Sequence, residues 1–176
     1  MTVTEPVQRR LTADDPRLVP WRAFLEAYAR VSRRLDEELR AEHDLSLAEY
    51  DALLSIAQAP ERRIRMRQLS DRVILSKSGV TRLIDRLVAD GLVERSACLA
   101  DARGAEAVLT DDGLARLRAA SRTHLRGITE HFLDPLEGMD VGALTAAMRA
   151  ISDSAGRGSP VHGACDPDAP GSADPR

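Results

Sequence analysis

The chain has 176 residues, 43% of them apolar, which suits one domain of ordinary size and excludes two large ones. Its 25 basic and 28 acidic residues give a formal net charge of −3, which excludes a protein that coats nucleic acid by global positive charge. One Trp, two Tyr and two Phe are too few rings for a single-strand binder that stacks bases on aromatic side chains.

Targeting and covalent features are sparse in this sequence. No run approaches the roughly 18 apolar residues of a membrane span, and residues 1–15 lack the apolar segment of a signal peptide. Cys98 and Cys165 have neither metal-ligand spacing nor a disulfide pattern. We therefore expect a cytoplasmic protein with no cofactor and no metal.

The two ends of the chain differ in composition from its middle. Residues 154–176 hold four of the nine prolines and four of the eleven glycines, with almost no large apolar side chain. Such a segment buries too little surface to offset its ordering entropy. We predict a flexible arm at 1–19, a folded domain at 20–153 and a disordered tail at 154–176.

Two helices open the predicted domain. Apolar residues recur every three or four positions from Trp21 to Leu39 and predict a helix over about 20–43. A second helix is predicted to begin at Ser46, where Ser46 and Glu49 fit a capping box, and to end before Pro60.

The next two predicted helices are a short one at 67–73 and one at 76–91. In the later helix, one face is apolar at helical spacing from Val80 to Val88, and Gly91 follows as the terminating residue. The opposite face mixes hydroxyl and charged side chains: Lys77, Ser78, Thr81, Arg82, Asp85 and Arg86.

Two short β-like runs, 92–95 and 106–109, predict a two-stranded hairpin with a long polar tip. Thr110 is then the expected N-cap of a helix that continues to Pro135, and a last helix runs from about Asp140 to near Gly156. The fold class is mainly α with a small β-hairpin wing. This order predicts a winged helix-turn-helix at about 46–110, between helical segments at about 20–43 and 111–153.

The charge distribution is polarised along the chain. Between Arg62 and Arg103 there are ten basic and five acidic residues, so this window carries +5 and the remainder −8. A cationic helix face alone is more often ordinary solvated surface. Combined with the preceding short helix and the following hairpin, it indicates binding to double-stranded DNA.

The run from Leu45 to Gly113 resembles the core of the MarR family of bacterial transcriptional regulators, and the resemblance extends over about 20–153. Its most specific parts are SKSGVTRLIDRLVADGLVER at 76–95, and Asp101-Ala102-Arg103 followed by LTDDG at 109–113. The resemblance implies an obligate homodimer that binds a pseudo-palindromic operator, commonly as a repressor relieved by a small anionic or phenolic effector.

The resemblance also assigns DNA contacts to the recognition helix and wing. The N-terminal residues of the recognition helix, which corresponds to 76–91, would lie nearest the bases, and Arg86 would contact a phosphate. Arg103 matches the wing-tip arginine of the minor groove, and Asp101 matches the carboxylate that shapes the tip. The family often has a second basic residue next, where this chain has Gly104. The predicted DNA contacts are Arg67, Ser76, Lys77, Ser78, Thr81, Arg82, Arg86, Asp101 and Arg103.

A dimer is also expected on physical grounds. The first helix and the two terminal helices offer more apolar surface than one small winged-helix lobe can cover, and such stripes commonly mark an interface. The alternative is that they pack within one subunit. The predicted interface residues are Trp21, Leu25, Phe132, Leu144, Met148 and Ile151.

The effector site of the family lies between the dimerisation helices and the winged-helix lobe. Candidate lining residues here are Tyr28, Tyr50, His124 and His131. The two histidines are seven residues apart, so we expect them to share one helix face, as a pH-sensitive or ligand-contacting pair or as ordinary histidines. No cysteine or carboxylate cluster accompanies them in sequence, so no zinc site is predicted.

Three other functions are possible for such a chain: catalysis, redox sensing and binding to another protein. The sequence has no GxSxG, GxxxxGK[ST] or HExxH, so no enzyme is predicted. Cys98 in the predicted wing is interpreted as incidental, with oxidation of the wing as the alternative. A winged-helix module that docks an acidic protein is the second hypothesis. Steep salt dependence of binding to duplex DNA distinguishes the two.

Overall fold

The computed structural model describes residues 11–73, 77–97 and 105–155. Its helices and strands follow the predicted order, with one additional strand and with short 3-10 turns at Pro16–Leu18, Pro60–Arg62 and Asp134–Leu136. The elements are α1 Val19–His43, α2 Leu47–Ala57, β1 Arg63–Arg65, α3 Met66–Arg72, α4 Lys77–Ala89, β2 Val93–Ala97, β3 Ala105–Leu109, α5 Asp111–Ile128 and α6 Val141–Ala155.

The start of α2 has the predicted capping box. Ser46 Oγ accepts a hydrogen bond from the Glu49 N–H at 3.2 Å, and Glu49 Oε2 accepts one from the Ser46 N–H at 2.9 Å. Leu45 and Tyr50, which flank this turn, are both buried. The local sequence therefore fixes where α2 begins.

The sheet has three antiparallel strands in the order β1-β3-β2, where the sequence predicted a two-stranded hairpin. The predicted hairpin is present as β2 and β3. The strand β1 was not predicted, because it has only one buried apolar residue, Ile64, and its partner strand lies more than forty residues later. Ile64 pairs with Ala107, and Val93 pairs with Leu109. The wing tip at 98–104 lies outside the described residues.

The core lies between α2, α3, α4, the sheet and the N-terminal half of α5. From α1 only Leu35 and Leu39 are buried. The most completely buried large side chains, which together fill this winged-helix core, are Leu39, Tyr50, Leu53, Ile56, Leu69, Val80, Leu83, Ile84, Leu87 and Val93.

The C-terminal part of the chain departs from the predicted single helix ending at Pro135. α5 ends at Ile128, a π-helical turn covers Thr129–Leu133, and a 3-10 turn containing Pro135 follows. α6 is near its predicted position, and none of its residues is buried. Among the described residues, no helix is long and apolar enough to span a membrane.

The N-terminus of α5 is docked closely against the turn between α4 and β2. Thr110 Oγ1 accepts a hydrogen bond from the Gly113 N–H at 2.9 Å and donates one to the Gly91 carbonyl at 2.8 Å. Gly91 has a φ of 72°, as its predicted helix-terminating role requires. A Cβ at Gly113 would lie 2.1 Å from the Leu92 carbonyl oxygen. Only glycine therefore fits at the end of the LTDDG segment.

We expect Gly113→Ala to lower the free energy of unfolding by about 1–3 kcal/mol, because relief of the clash requires the backbone to move. Gly127→Ala is the matched comparison, since its Cβ would meet the side-chain ends of Glu38 and Leu35, which can rotate. Urea unfolding of both variants provides the measurement. A smaller loss for Gly113→Ala than for Gly127→Ala would contradict this account.

Candidate nucleic-acid interface

One face of α4 is committed to the core. Val80, Leu83, Ile84 and Leu87 are each at most 1% exposed. This confirms the apolar face predicted from their spacing. Burial of these side chains fixes the rotation of α4 about its axis, so the opposite face has a fixed orientation.

The opposite face of α4 is polar and exposed. Among the residues predicted to contact DNA, Ser78, Thr81, Arg82 and Arg86 lie here. Lys77 begins α4, and its side chain lies outside the described part, as do the predicted contacts Ser76, Asp101 and Arg103. The described residues thus contain the predicted surface from Ser78 onward along α4, without Ser76, the Lys77 side chain and the wing tip.

Arg86 is held by a carboxylate of α2. Its Nε donates to Glu49 Oε1 at 2.9 Å. Burial raises the pKa of Glu49, but hydrogen bonds from the backbone and side chain of Ser46 and from Arg86 outweigh that effect and hold the pKa below its ordinary value of 4.5. The sequence showed Glu49 as a capping residue, while its contact with Arg86, 37 residues away, had no local signal.

A second ion pair ties the wing to α4. Arg95 on β2 lies 2.7 Å from the Asp85 carboxylate and also donates to the Thr81 carbonyl at 3.4 Å. Arg95 was not among the predicted site residues, although it belongs to the basic window. The pair joins β2 to α4 and neutralises the negative charge of Asp85 on the polar face.

Three arginines of the basic window are exposed and unpaired within the described part of the chain. Arg65 at the end of β1, Arg67 on α3 and Arg82 on α4 form no ion pair with another described residue. Arg65 was not predicted as a site residue because its strand was not predicted. Unpaired arginines on an exposed surface can contact phosphates or base edges without first breaking an internal bond.

The four candidate effector residues do not lie together. Tyr50 is fully buried, its ring centroid is 4.3 Å from that of His124, and its hydroxyl donates to Ser121 Oγ at 3.3 Å. His131 instead contacts Glu38 of α1, with Nε2 2.6 Å from Oε1. The two histidines face different elements, because the π-helical turn Thr129–Leu133, which contains His131, changes the helical register that their spacing assumed.

Tyr28 lies on a different surface. With Asp36 on α1 and Leu47 and Asp51 on α2, it lines an open groove of about 350 Å³ between α1 and the winged-helix lobe. This is the described location that corresponds to the predicted position of an effector site. Its lining mixes apolar side chains with the charged groups of Arg33, Asp36 and Asp51.

His131 has carboxylate neighbours that the sequence did not reveal. Potential metal-ligating atoms of Glu38, Glu130 and His131 lie within 4.8 Å of one another. The short contact between His131 and Glu38 already occupies one histidine nitrogen. Glu130 is exposed. The arrangement is accounted for by the contact between Glu38 of α1 and His131 of the π-helical turn Thr129–Leu133.

The predicted dimer residues are largely uncovered in the single chain. Trp21 is 55% and Ile151 59% exposed, Leu25, Phe132 and Met148 are also exposed, and Leu144 is half-buried. On α1, Trp21, Phe24 and Tyr28 form a stacked row with centroid separations of 6.0 and 6.5 Å. The first helix and α6 therefore present an extended apolar surface to solvent.

Comparison with known proteins agrees with this geometry. A model of the MarR family matches residues 43–104. AbsC, a MarR family transcriptional regulator from Streptomyces coelicolor, is 31% identical with a TM-score of 0.75, over 84% of this chain and 97% of that one. The chain belongs to the MarR family. Its predicted family and fold class are thus confirmed, and it has the fold of a transcriptional regulator.

Two other MarR family structures are similar and were solved with DNA. One is a second regulator from Streptomyces coelicolor in complex with DNA, with 29% identity, a TM-score of 0.75, and coverage of 85% of this chain and 92% of that one. The other is a mutant of MarR from E. coli complexed with operator DNA, with 26% identity, a TM-score of 0.68, and coverage of 77% and 95%. The comparison with curated proteins gave no match.

The carboxylates around α2 predict an acid-sensitive fold. Burial raises the pKa of Asp36, but hydrogen bonds from Arg40 and the Leu47 N–H outweigh it, so its pKa, like that of Glu49, is lowered on folding. Both groups therefore stabilise the fold above their unfolded pKa values, and this stabilisation is lost as the pH falls through the lower folded values.

We expect the free energy of unfolding to fall between about pH 5 and pH 3, and Glu49→Gln to reduce that fall, since glutamine does not titrate. Denaturant unfolding across this range measures both effects. Wild type and variant should differ most near pH 6 and converge at low pH. A constant difference at every pH would show that the ionised carboxylate of Glu49 contributes nothing.

Proposed function

We propose that this MarR family member binds double-stranded DNA with the exposed face of α4 in the major groove and the wing beside it. The observation that carries the proposal is the division of α4 into a fully buried apolar face and an exposed face bearing Ser78, Thr81, Arg82 and Arg86. A helix fixed in this way presents hydrogen-bonding groups at a constant angle, as base recognition requires.

Each side chain has a role that follows from its position. Ser78, Thr81 and Arg82 lie toward the beginning of α4 and would contact base edges. Arg67 and Arg86 would contact phosphates. Ser76, Lys77, Asp101 and Arg103 are assigned by family resemblance, with Arg103 in the minor groove. The two similar regulators solved with DNA support DNA binding by a chain of this fold.

Homodimer formation is part of the proposal. An apolar surface as large as that of α1 and α6 is rarely left exposed in a soluble monomer. A second copy would cover Trp21, Leu25, Phe132, Met148 and Ile151, and two lobes related by a two-fold axis would bind a pseudo-palindromic operator. Binding there would repress transcription by excluding polymerase.

A small anionic or phenolic effector would relieve repression. The groove beside Tyr28 supports this part of the proposal, because it lies between α1 and α2 and is also lined by Arg33, whose guanidinium would pair with an anion. A ligand bound there would contact both the dimerisation helix and the winged-helix lobe. It could therefore favour one relative position of the two over another.

Arg82→Ala should weaken binding to the best operator by about 1–3 kcal/mol if Arg82 contacts a base edge. Arg122→Ala, which removes an exposed arginine of α5, serves as the control and should bind as the wild type does. The operator is first selected from a genomic DNA pool, and gel-shift titrations then measure the affinity of each variant for it. Equal affinities for the two variants would remove Arg82 from base recognition.

Ile151→Glu should convert the dimer to a monomer, because it places a charge in the apolar surface of α6. Gln68→Glu, an equivalent charge change at an exposed position of α3, should leave the dimer intact. Sedimentation equilibrium measures the mass of each. If Ile151→Glu remained dimeric at micromolar concentration, α6 would not belong to the interface.

A further inference from the structure

The carboxylate of Glu49 is engaged on both of its oxygens. Oε2 accepts hydrogen bonds from the Ser46 N–H at 2.9 Å and the Ser46 hydroxyl at 2.8 Å, and Oε1 accepts from Arg86 Nε at 2.9 Å. The Glu49 side chain is only 12% exposed. Two hydrogen bonds from Ser46 to one oxygen and one from Arg86 to the other hold this carboxylate in one orientation.

The turn that bears Glu49 is itself anchored to α1. The Leu47 N–H donates to Asp36 Oδ1 at 2.9 Å, and Asp36 Oδ2 lies 2.7 Å from Arg40 Nε. The first turn of α2 is therefore held by its own capping box and by a carboxylate of the dimerisation helix. The carboxylate that accepts the hydrogen bond of Arg86 therefore lies on a turn that is held from two sides.

Arg86 differs from its carboxylate partner in exposure. Its side chain is 58% exposed, and Glu49 engages only Nε. Among the described residues, none forms a hydrogen bond with either Nη group of Arg86. A guanidinium bound through Nε keeps its two terminal nitrogens for a second oxyanion, such as a DNA phosphate.

The ion pair between Glu49 and Arg86 is expected to contribute little to the free energy of folding. Pairs with an exposed partner contribute little to folding, and a carboxylate close to bound DNA would repel the phosphates. If Glu49 holds Arg86 in the rotamer that contacts a phosphate, Arg86 loses less conformational entropy when DNA binds. This gain in the free energy of DNA binding would offset the repulsion.

We propose that Glu49 is a positioning residue for DNA binding, which holds Arg86 through Nε so that its terminal nitrogens contact a backbone phosphate. This inference rests on the proposed function. It adds to that function a residue of α2 that does not itself touch DNA. Because a phosphate contact is independent of sequence, any duplex reveals it.

The test is a set of salt titrations on a mixed-sequence duplex of about 30 base pairs. The variants are Glu49→Gln, Arg86→Ala and the double variant. Glutamine also serves at this position of a capping box, so α2 should keep its N-terminus, which circular dichroism and thermal unfolding can verify. Asp71→Asn is the charge-matched control, since Asp71 is exposed on α3 and forms no ion pair with a described residue.

Glu49→Gln should weaken duplex binding about three- to tenfold and reduce the slope of log K against log salt by about one, as Arg86→Ala does. The double variant should bind no more weakly than Arg86→Ala. Asp71→Asn should bind as tightly as the wild type or more tightly, because it only removes a negative charge.

Two results would overturn the inference while leaving the proposed function in place. One is that Glu49→Gln binds as tightly as Asp71→Asn, with an unchanged salt slope. The other is that Glu49→Gln weakens binding equally with and without Arg86, which would place its effect in the α2 fold. Wild-type protein without salt-dependent duplex binding would instead overturn the proposed function, and this inference with it.

Discussion

The burial of one face of α4 is the constraint on which the rest of the structure depends. Val80, Leu83, Ile84 and Leu87 are removed from water against α2, α3 and the sheet. Rotation of α4 about its axis would expose these side chains at a cost of about 25 cal/mol per Å². Apolar packing thus fixes the orientation of the polar face of α4. Residues outside the core, such as Glu49, orient individual side chains on that face.

Polar contacts refine that arrangement from two sides. Glu49 reaches Arg86 from α2, and Arg95 reaches Asp85 from β2. Glu49 lies outside the basic window and lowers the positive charge beside α4, whereas Asp85 is already counted in the +5 of that window. What remains is a smaller number of oriented arginines, which favours defined contacts over diffuse attraction.

The two C-terminal helices, α5 and α6, differ in how much they pack against the winged-helix core. α5 joins the core through its N-terminal half, where Gly113 packs against the Leu92 carbonyl, while α6 buries none of its residues. A helix that buries nothing within its own chain gains little stability there, because most helical stability in proteins comes from packing. This exposure is the reason that the proposed function assigns α6 to a contact with a second copy.

The sequence by itself determined the element order, the start of α2 at Ser46, the buried face of α4 and the family, because periodicity, caps and short motifs are local signals. Only the tertiary structure decided that Arg63–Arg65 form a strand, that Arg86 bonds to Glu49 and that His131 bonds to Glu38. Those partners lie between 37 and 93 residues apart in the chain. No local pattern specifies such contacts, since they form only when the packed core brings the elements together.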